Sequence, residues 1–158
     1  MKLKGIIFED FVNYKVPSMV LEFPKCSFKC DKECGKPVCQ NGTLANEPDI
    51  DADISNIVQR YVNNPITEAV ILQGLEPIDS FEDICNFITA LRKQCDDDVV
   101  IYTGYRYAEI DDKINLLASL FKNIVVKFGR YIPDCEPHYD NVLGVNLASN
   151  NQFAVRIS

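Results

Sequence analysis

Short continuous apolar runs alternate along the chain with stretches in which apolar residues recur every three or four positions. Ser18–Phe23, Glu68–Leu72, Asp98–Tyr102 and Asn123–Phe128 are of the first kind. Bounded by Gly, Pro and Asn, they predict strands buried on both faces. Ile54, Ile57, Val58, Tyr61 and Val62 share one helical face and predict a helix over about 53–63, capped by Asp51 or Asp53 and stopped before Pro65. Phe81, Ile84, Cys85, Ile88 and Leu91 predict a second helix that starts near Ser80. Ile110, Ile114, Leu117, Ala118 and Phe121 predict a third, and the tail from Leu143 to Ile157 one more strand or a hairpin around Ser149-Asn150-Asn151.

Strands that alternate with helices and carry unbroken apolar runs belong to a mainly parallel sheet with helical crossovers. About five strands are too few to close an eight-stranded barrel, so the expected fold is α/β, an open partial (βα) barrel in one domain over residues 1–158. One stretch breaks the rhythm. From about 24 to 51 there is little periodicity and much Lys, Gly, Pro and Asn, which predicts a long loop. A loop of that length in a compact domain is usually functional. It lies after the first strand of the series, Gln73–Pro77 lies after the second, and Thr103–Tyr105 after the third. In open parallel sheets the carboxyl ends of the strands form the ligand rim, so these three segments fall together.

Composition narrows the function. No apolar run approaches the ~18–20 residues of a membrane span. Gly5-Ile6-Ile7-Phe8 after the basic start is too short for a signal-peptide core, so a cytoplasmic protein is expected. The net charge of −7 disfavours a nucleic-acid partner, which would select a basic face. Seven cysteines, four of them within Cys26–Cys39, do not suit an oxidised scaffold in a chain of this size. They suit a reduced protein with some thiolates on a soft metal, either zinc or an iron–sulfur cluster.

The cysteine segment reads Cys26-x3-Cys30-x3-Cys34-x4-Cys39-Gln40-Asn41. The x3 spacing is less typical of structural zinc, which often uses Cys-x2-Cys pairs, although four thiolates could still close around one zinc or one cluster. Three thiolates would leave one iron open to a ligand. Cys85 lies on the apolar stripe of a predicted helix and reads as a core thiol. Cys95 and Cys135 have no evident partner. His138, the only histidine, reads as a surface loop residue, and Arg130 either binds a carboxylate or faces water. No acid–base constellation is evident, and no catalytic side chain is assigned.

These motifs resemble those of radical S-adenosylmethionine enzymes, whose usual pattern is Cys-x3-Cys-x2-Cys. More narrowly, the chain resembles the short activating proteins of anaerobic ribonucleotide reductase. Cys39-Gln40-Asn41 is similar to their third cysteine and the residues after it, Gly74-Leu75-Glu76-Pro77 to their Gly-Gly-Glu-Pro, and Tyr102-Thr103-Gly104-Tyr105 to their Tyr-Thr-Gly-Tyr. Phe128-Gly129-Arg130-Tyr131 and Ser149-Asn150-Asn151-Gln152 resemble two later segments more loosely. The order and length match over most of the chain. The departures are eight residues between Cys30 and Cys39 instead of two, Leu75 in place of a glycine, and no Asn-Gly-Pro-Gly turn near the N-terminus. Cys39 is preferred over Cys34 as third ligand, because Val38 precedes it and Gln40-Asn41 follow it.

The resemblance implies that Cys26, Cys30 and Cys39 hold a 4Fe-4S cluster, and that Gly74, Leu75, Glu76 and Thr103 bind S-adenosylmethionine on its open iron. It implies reductive cleavage to a 5′-deoxyadenosyl radical, an electron donor of flavodoxin or ferredoxin type, and a glycyl-radical protein as target. Little chain remains to enclose a large substrate, which fits a target presented by a partner. Two other readings stand beside it: a radical enzyme for a small molecule, of deazaguanine-synthase type, and a non-catalytic metal-binding interaction module in which all four loop cysteines are ligands.

Overall fold

The computed structural model describes all residues, Met1–Ser158. Ten strands and five α-helices follow in the order β1 (Lys2–Leu3), β2 (Gly5–Asp10), β3 (Ser18–Phe23), α1 (Lys29–Cys34), α2 (Gly42–Ala45), β4 (Ile50–Asp51), α3 (Ile54–Val62), β5 (Ala69–Gly74), α4 (Phe81–Leu91), β6 (Asp98–Tyr102), α5 (Asp111–Leu120), β7 (Ile124–Phe128), β8 (His138–Asp140), β9 (Val145–Leu147) and β10 (Phe153–Arg156). Six of the strands form one mixed sheet in the order β10-β7-β6-β5-β3-β2. β3, β5, β6 and β7 are parallel, and β2 and β10 pair antiparallel at its two edges.

The α/β class and the parallel centre are as the apolar runs predict. The expected strand count is corrected from about five to six. β2 was not anticipated because it is an edge strand. Its Ile7 and Phe8 are exposed, so it has neither the buried run nor the clean alternation by which a strand is recognised. Of the two outcomes expected of the tail, the structure shows the strand, as the edge strand β10, and not a hairpin around Ser149-Asn150-Asn151, because β10 pairs with β7 while β9 pairs back onto β8. The segment after β3 is not wholly irregular, since α1, α2 and β4 lie within it.

The parallel strands expose alternate residues to opposite faces. Met19, Leu21, Phe23, Val70, Leu72, Val99, Ile101, Ile124, Val126 and Phe128 join one core, together with the buried residues of α3, α4 and α5. Val20, Ala69, Ile71, Val100 and Val125 join a second, smaller core with Tyr14, Leu143, Leu147 and Ala154, to which no helix contributes. All three long helices therefore cover one face. The other face is covered by the β8–β9 region and the segment before β3, and it opens toward the carboxyl ends of the strands.

Local chemistry sets the element ends. Asp53 caps α3 by accepting from the Asn56 amide at 2.8 Å. Ile57, Val58 and Tyr61 are the buried stripe of that helix, whereas Val62 faces solvent. Ser80 does not cap α4. A 3-10 turn over Pro77–Ser80 leads into the helix, and the buried Ser80 hydroxyl has no hydrogen-bond partner. Phe87 joins Ile84, Ile88 and Leu91 as a fourth buried residue of α4.

Candidate functional site

β3, β5, β6 and β7 end around one open cavity of about 320 Å³. Cys26, Cys30 and Cys39 line it, as do Gly74, Leu75, Glu76 and Thr103. The structure thus brings together every residue singled out for metal or cofactor on sequence grounds. Cys34 does not line the cavity.

The eight residues between Cys30 and Cys39 have a clear local logic. After Cys26, whose Sγ accepts from the Phe28 amide at 3.2 Å, the backbone turns through a left-handed Phe28 into α1. α1 ends at Gly35, also left-handed, and the chain doubles back. Asp31, one residue after Cys30, then accepts from the amides of both Val38 and Cys39 at 2.8 Å. The inserted helix is a detour that returns Cys39 to the level of Cys30. Asn41 closes the arrangement by donating to the Gly74 carbonyl at 2.6 Å.

Gly74 ends β5 at φ +108°, and a Cβ there would lie 2.6 Å from the Phe23 amide nitrogen. Only glycine allows this close approach of β5 to β3. The Leu75 amide donates to the Phe23 carbonyl at 3.1 Å. Glu76 is buried and takes three donors. Oε1 accepts from the Ile78 amide at 3.2 Å and the Thr103 hydroxyl at 2.8 Å, and Oε2 accepts from the Gly104 amide at 2.8 Å. Burial outweighs those donors and pushes its carboxyl up to about 7. A carboxylate has about four acceptor sites, so one direction remains for a ligand.

Burial also pushes the Cys26 thiol up to about 11 and raises that of Cys30. Without metal these thiols stay protonated, so metal loading releases protons. No three Cys, His, Asp or Glu side chains converge as ligands of one metal ion. Three soft thiols ring an open cavity instead, and that donor set fits a multi-atom cluster with a free coordination position better than a closed single-ion site.

Of the two roles expected of Arg130, the structure shows the first: it binds a carboxylate, that of Glu109, and does not face water. It is buried and its Nη atoms donate to both oxygens of Glu109. Lys127 is the site residue that the sequence did not disclose. It lies in a strand that is buried throughout, on the face opposite the helices, and lines the cavity. Its signal was a lysine interrupting the apolar run Ile-Val-Val-Lys-Phe. Burial lowers its ammonium to about 8, against the opposing pull of Glu76 and Cys30. His138 belongs to β8 and is half-buried rather than a loop surface residue.

The fold is that of an α/β protein, and three cysteines are among the residues lining the cavity at the carboxyl edge of its sheet. The chain belongs to the 4Fe-4S single cluster domain family, whose model matches residues 18–151. It therefore carries a domain that binds a 4Fe-4S cluster. Neither the search of curated proteins nor that of solved structures gave a match. No helix is long and apolar enough to cross a membrane.

Proposed function

We propose that the protein is a radical S-adenosylmethionine enzyme that activates a glycyl-radical protein, of the kind that anaerobic ribonucleotide reductase represents. The observation that carries this reading is that Cys26, Cys30 and Cys39 share one cavity with the Gly74–Glu76 turn while Cys34 stays outside it. On this reading the three thiolates hold the cluster, and the open sheet with helices on one face only is a partial (βα) barrel. Gly74, Leu75, Glu76 and Thr103 receive the cofactor, with Glu76 offering its remaining acceptor direction to the amino group. Bound together, the cluster and S-adenosylmethionine supply a one-electron cleavage that yields the 5′-deoxyadenosyl radical. The chain's own residues would orient the cofactor.

The cavity volume supports a target presented from outside. About 320 Å³ is at the lower end of small-molecule sites, room for one ligand of cofactor size rather than for a cofactor with an enclosed substrate. A flavodoxin- or ferredoxin-type protein would supply the electron, and the compartment would be cytoplasmic.

The test is electron paramagnetic resonance of anaerobically reconstituted, reduced protein with and without S-adenosylmethionine. A four-iron signal that changes on addition of the cofactor is expected. A signal indifferent to the cofactor would leave an iron–sulfur protein of another kind. Appearance of a glycyl radical on a co-incubated reductase would then identify the target class.

A further inference from the structure

The cysteine segment carries the opposite charge from the rest of the molecule. Between Lys25 and Cys39 four lysines stand against two acids, in a chain whose net charge is −7. Folding sharpens the contrast, because neither acid is left free. Asp31 is turned onto the Val38 and Cys39 amides, and Glu33 lies between Arg106 and Arg130 at 3.2 and 3.5 Å. The lysines are treated differently. Lys29 shares Glu109 with Arg130 and stays 41% exposed. Lys25, Lys32 and Lys36 are exposed and make no ion pair. Lys25 shares a surface depression with Asp49, Asp51 and Asp83, which offset its charge. Lys32 and Lys36 have no such neighbours given by the fold and are the surplus cations of the segment.

That surplus sits beside the thiols. Lys32 is two positions after Cys30 in α1, Lys36 is three before Cys39, and Cys26, Cys30 and Cys39 are each only half-buried. The eight residues that hold these lysines stand where the family resembled in sequence has two, so the basic surface is this chain's own elaboration of the loop. Exposed lysines contribute little to the stability of the chain that bears them. They attract and orient a negatively charged partner. A nucleic acid or an anionic membrane would also meet the acidic remainder of the surface. A compact acidic protein can touch this patch alone, and a partner seated there lies directly over the metal centre.

We propose that the α1 insertion is the docking surface of an acidic one-electron carrier protein, held by Lys32 and Lys36 with Lys29 and Arg106 at its margin. One electron passes from the reduced carrier to the oxidised 4Fe-4S cluster. The carrier is oxidised by one electron and the cluster is reduced by one, with no bond made or broken. The proposal goes beyond the functional reading above and needs only the cluster that the domain family binds.

The experiment follows bleaching of the cluster absorption by stopped flow, in the full chain after anaerobic reconstitution. The reductants are a reduced flavodoxin and a reduced ferredoxin, both acidic, and photoreduced deazaflavin, which needs no docking. Wild type is compared with Lys32→Glu/Lys36→Glu, with the milder Lys32→Gln/Lys36→Gln, and with Lys93→Glu/Lys122→Glu. The last pair reverses two other exposed lysines, at the amino ends of β6 and β7, and changes net charge equally.

Reversal at Lys32 and Lys36 is expected to slow reduction by a carrier about 10- to 100-fold at low salt, with a smaller effect for the glutamine pair. Reduction by deazaflavin and the iron content stay as in wild type. Raising the ionic strength slows wild type toward the reversed variant. Equal slowing in Lys93→Glu/Lys122→Glu would assign the effect to overall charge and overturn the proposal. So would carrier rates unchanged in both Lys32 and Lys36 variants, or failure of both carriers to reduce wild type. Where the glutamate pair loses iron, the glutamine pair decides. Absence of S-adenosylmethionine binding would remove the functional reading and leave this test as it stands.

Discussion

Arg130 forks onto Glu109, with Nη1 donating to Oε2 at 2.8 Å and Nη2 to Oε1 at 2.7 Å. The Arg130 side chain is 4% exposed, whereas that of Glu109 is 29% exposed, so the pair has one buried and one solvent-facing partner. Lys29, the neighbour of Cys30, reaches the same carboxylate at 3.3 Å, and the Arg106 amide donates to it at 2.8 Å. Glu33 on α1 faces both Arg106 and Arg130, at 3.2 and 3.5 Å. Glu109 thus ties the inserted cysteine helix to the rim after β6 and to the end of β7.

This pairing makes acid stability depend on Glu109. Arg130 holds the Glu109 carboxyl down to about 2, below its ordinary 4.5. The unfolded chain therefore binds the extra proton between those values, and stability rises with pH across that window. The contribution is complete above about 4.5 and is lost as pH falls toward about 2. Glu109→Gln, which leaves Arg130 buried with a neutral partner, is expected to lower stability at pH 7 by about 1–3 kcal/mol. Urea unfolding at pH 7 and pH 2.5 checks this. The gap between wild type and variant should narrow at the lower pH, and a gap independent of pH would remove the ion pair from the account.

Gly74→Ala is expected to destabilise the protein by about 2–4 kcal/mol through a positive φ and a backbone collision rather than lost burial. The new methyl would sit 2.6 Å from the Phe23 nitrogen and 2.9 Å from the Phe23 oxygen, and neither atom can swing away as a side-chain tip could. Gly42→Ala is the control, because a Cβ there meets nothing within 4 Å. Chemical denaturation of the two variants should separate them clearly. Equal midpoints would show that β3 and β5 part easily at this end.

The centre of the fold could be read from the chain because burial writes itself into sequence. Val70–Leu72, Val99–Ile101 and Ile124–Val126 are apolar on both faces, and only a covered parallel strand tolerates that. β2 was illegible for the converse reason, since Ile7 and Phe8 lie on an edge strand without being buried. Local motifs disclosed the cysteines, the Gly74–Glu76 turn and Thr103. The pairing of Arg130 with Glu109, twenty-one positions apart, and the approach of Lys127 to Glu76, fifty-one apart, are products of tertiary packing, and no local pattern encodes them. Asp31 is an intermediate case. Its helix was hidden by brevity, while its spacing from Cys39 makes sense only once the chain has doubled back.

Glu76→Gln tests whether the turn needs a carboxylate for structure, for cofactor, or for both. Three donors converge on Glu76 from Ile78, Thr103 and Gly104. A glutamine amide has one acceptor oxygen, so whichever way it points its NH2 opposes a donor. The expected cost is about 1–3 kcal/mol, with a matching drop in Tm. On the proposed reading the variant also loses affinity for S-adenosylmethionine when reconstituted with iron. Thr103→Val is the companion variant: it leaves the Glu76 carboxylate but removes one of its donors and the acceptor of the Tyr105 amide, so a loss of cofactor affinity there would be assigned to Thr103 and not to the carboxylate. Cofactor affinity unchanged in Glu76→Gln would confine Glu76 to a structural role.

Cys39→Ser and Cys34→Ser carry the sharpest test of the metal site, because the two thiols compete as third ligand on spacing alone and part company in space. Cys39 lines the cavity with Cys26 and Cys30, whereas Cys34 closes α1 outside it. After anaerobic reconstitution Cys34→Ser is expected to keep the iron content and visible absorption of wild type, and Cys39→Ser to lose most of both. Asp31→Ala adds a geometric arm. Its carboxylate fixes the Val38 and Cys39 amides at 2.8 Å, so its removal should loosen Cys39 and lower iron retention although every thiol is present. Iron loss in Cys34→Ser, with Cys39→Ser and Asp31→Ala unaffected, would reassign the third ligand and make the inserted helix itself part of the metal centre.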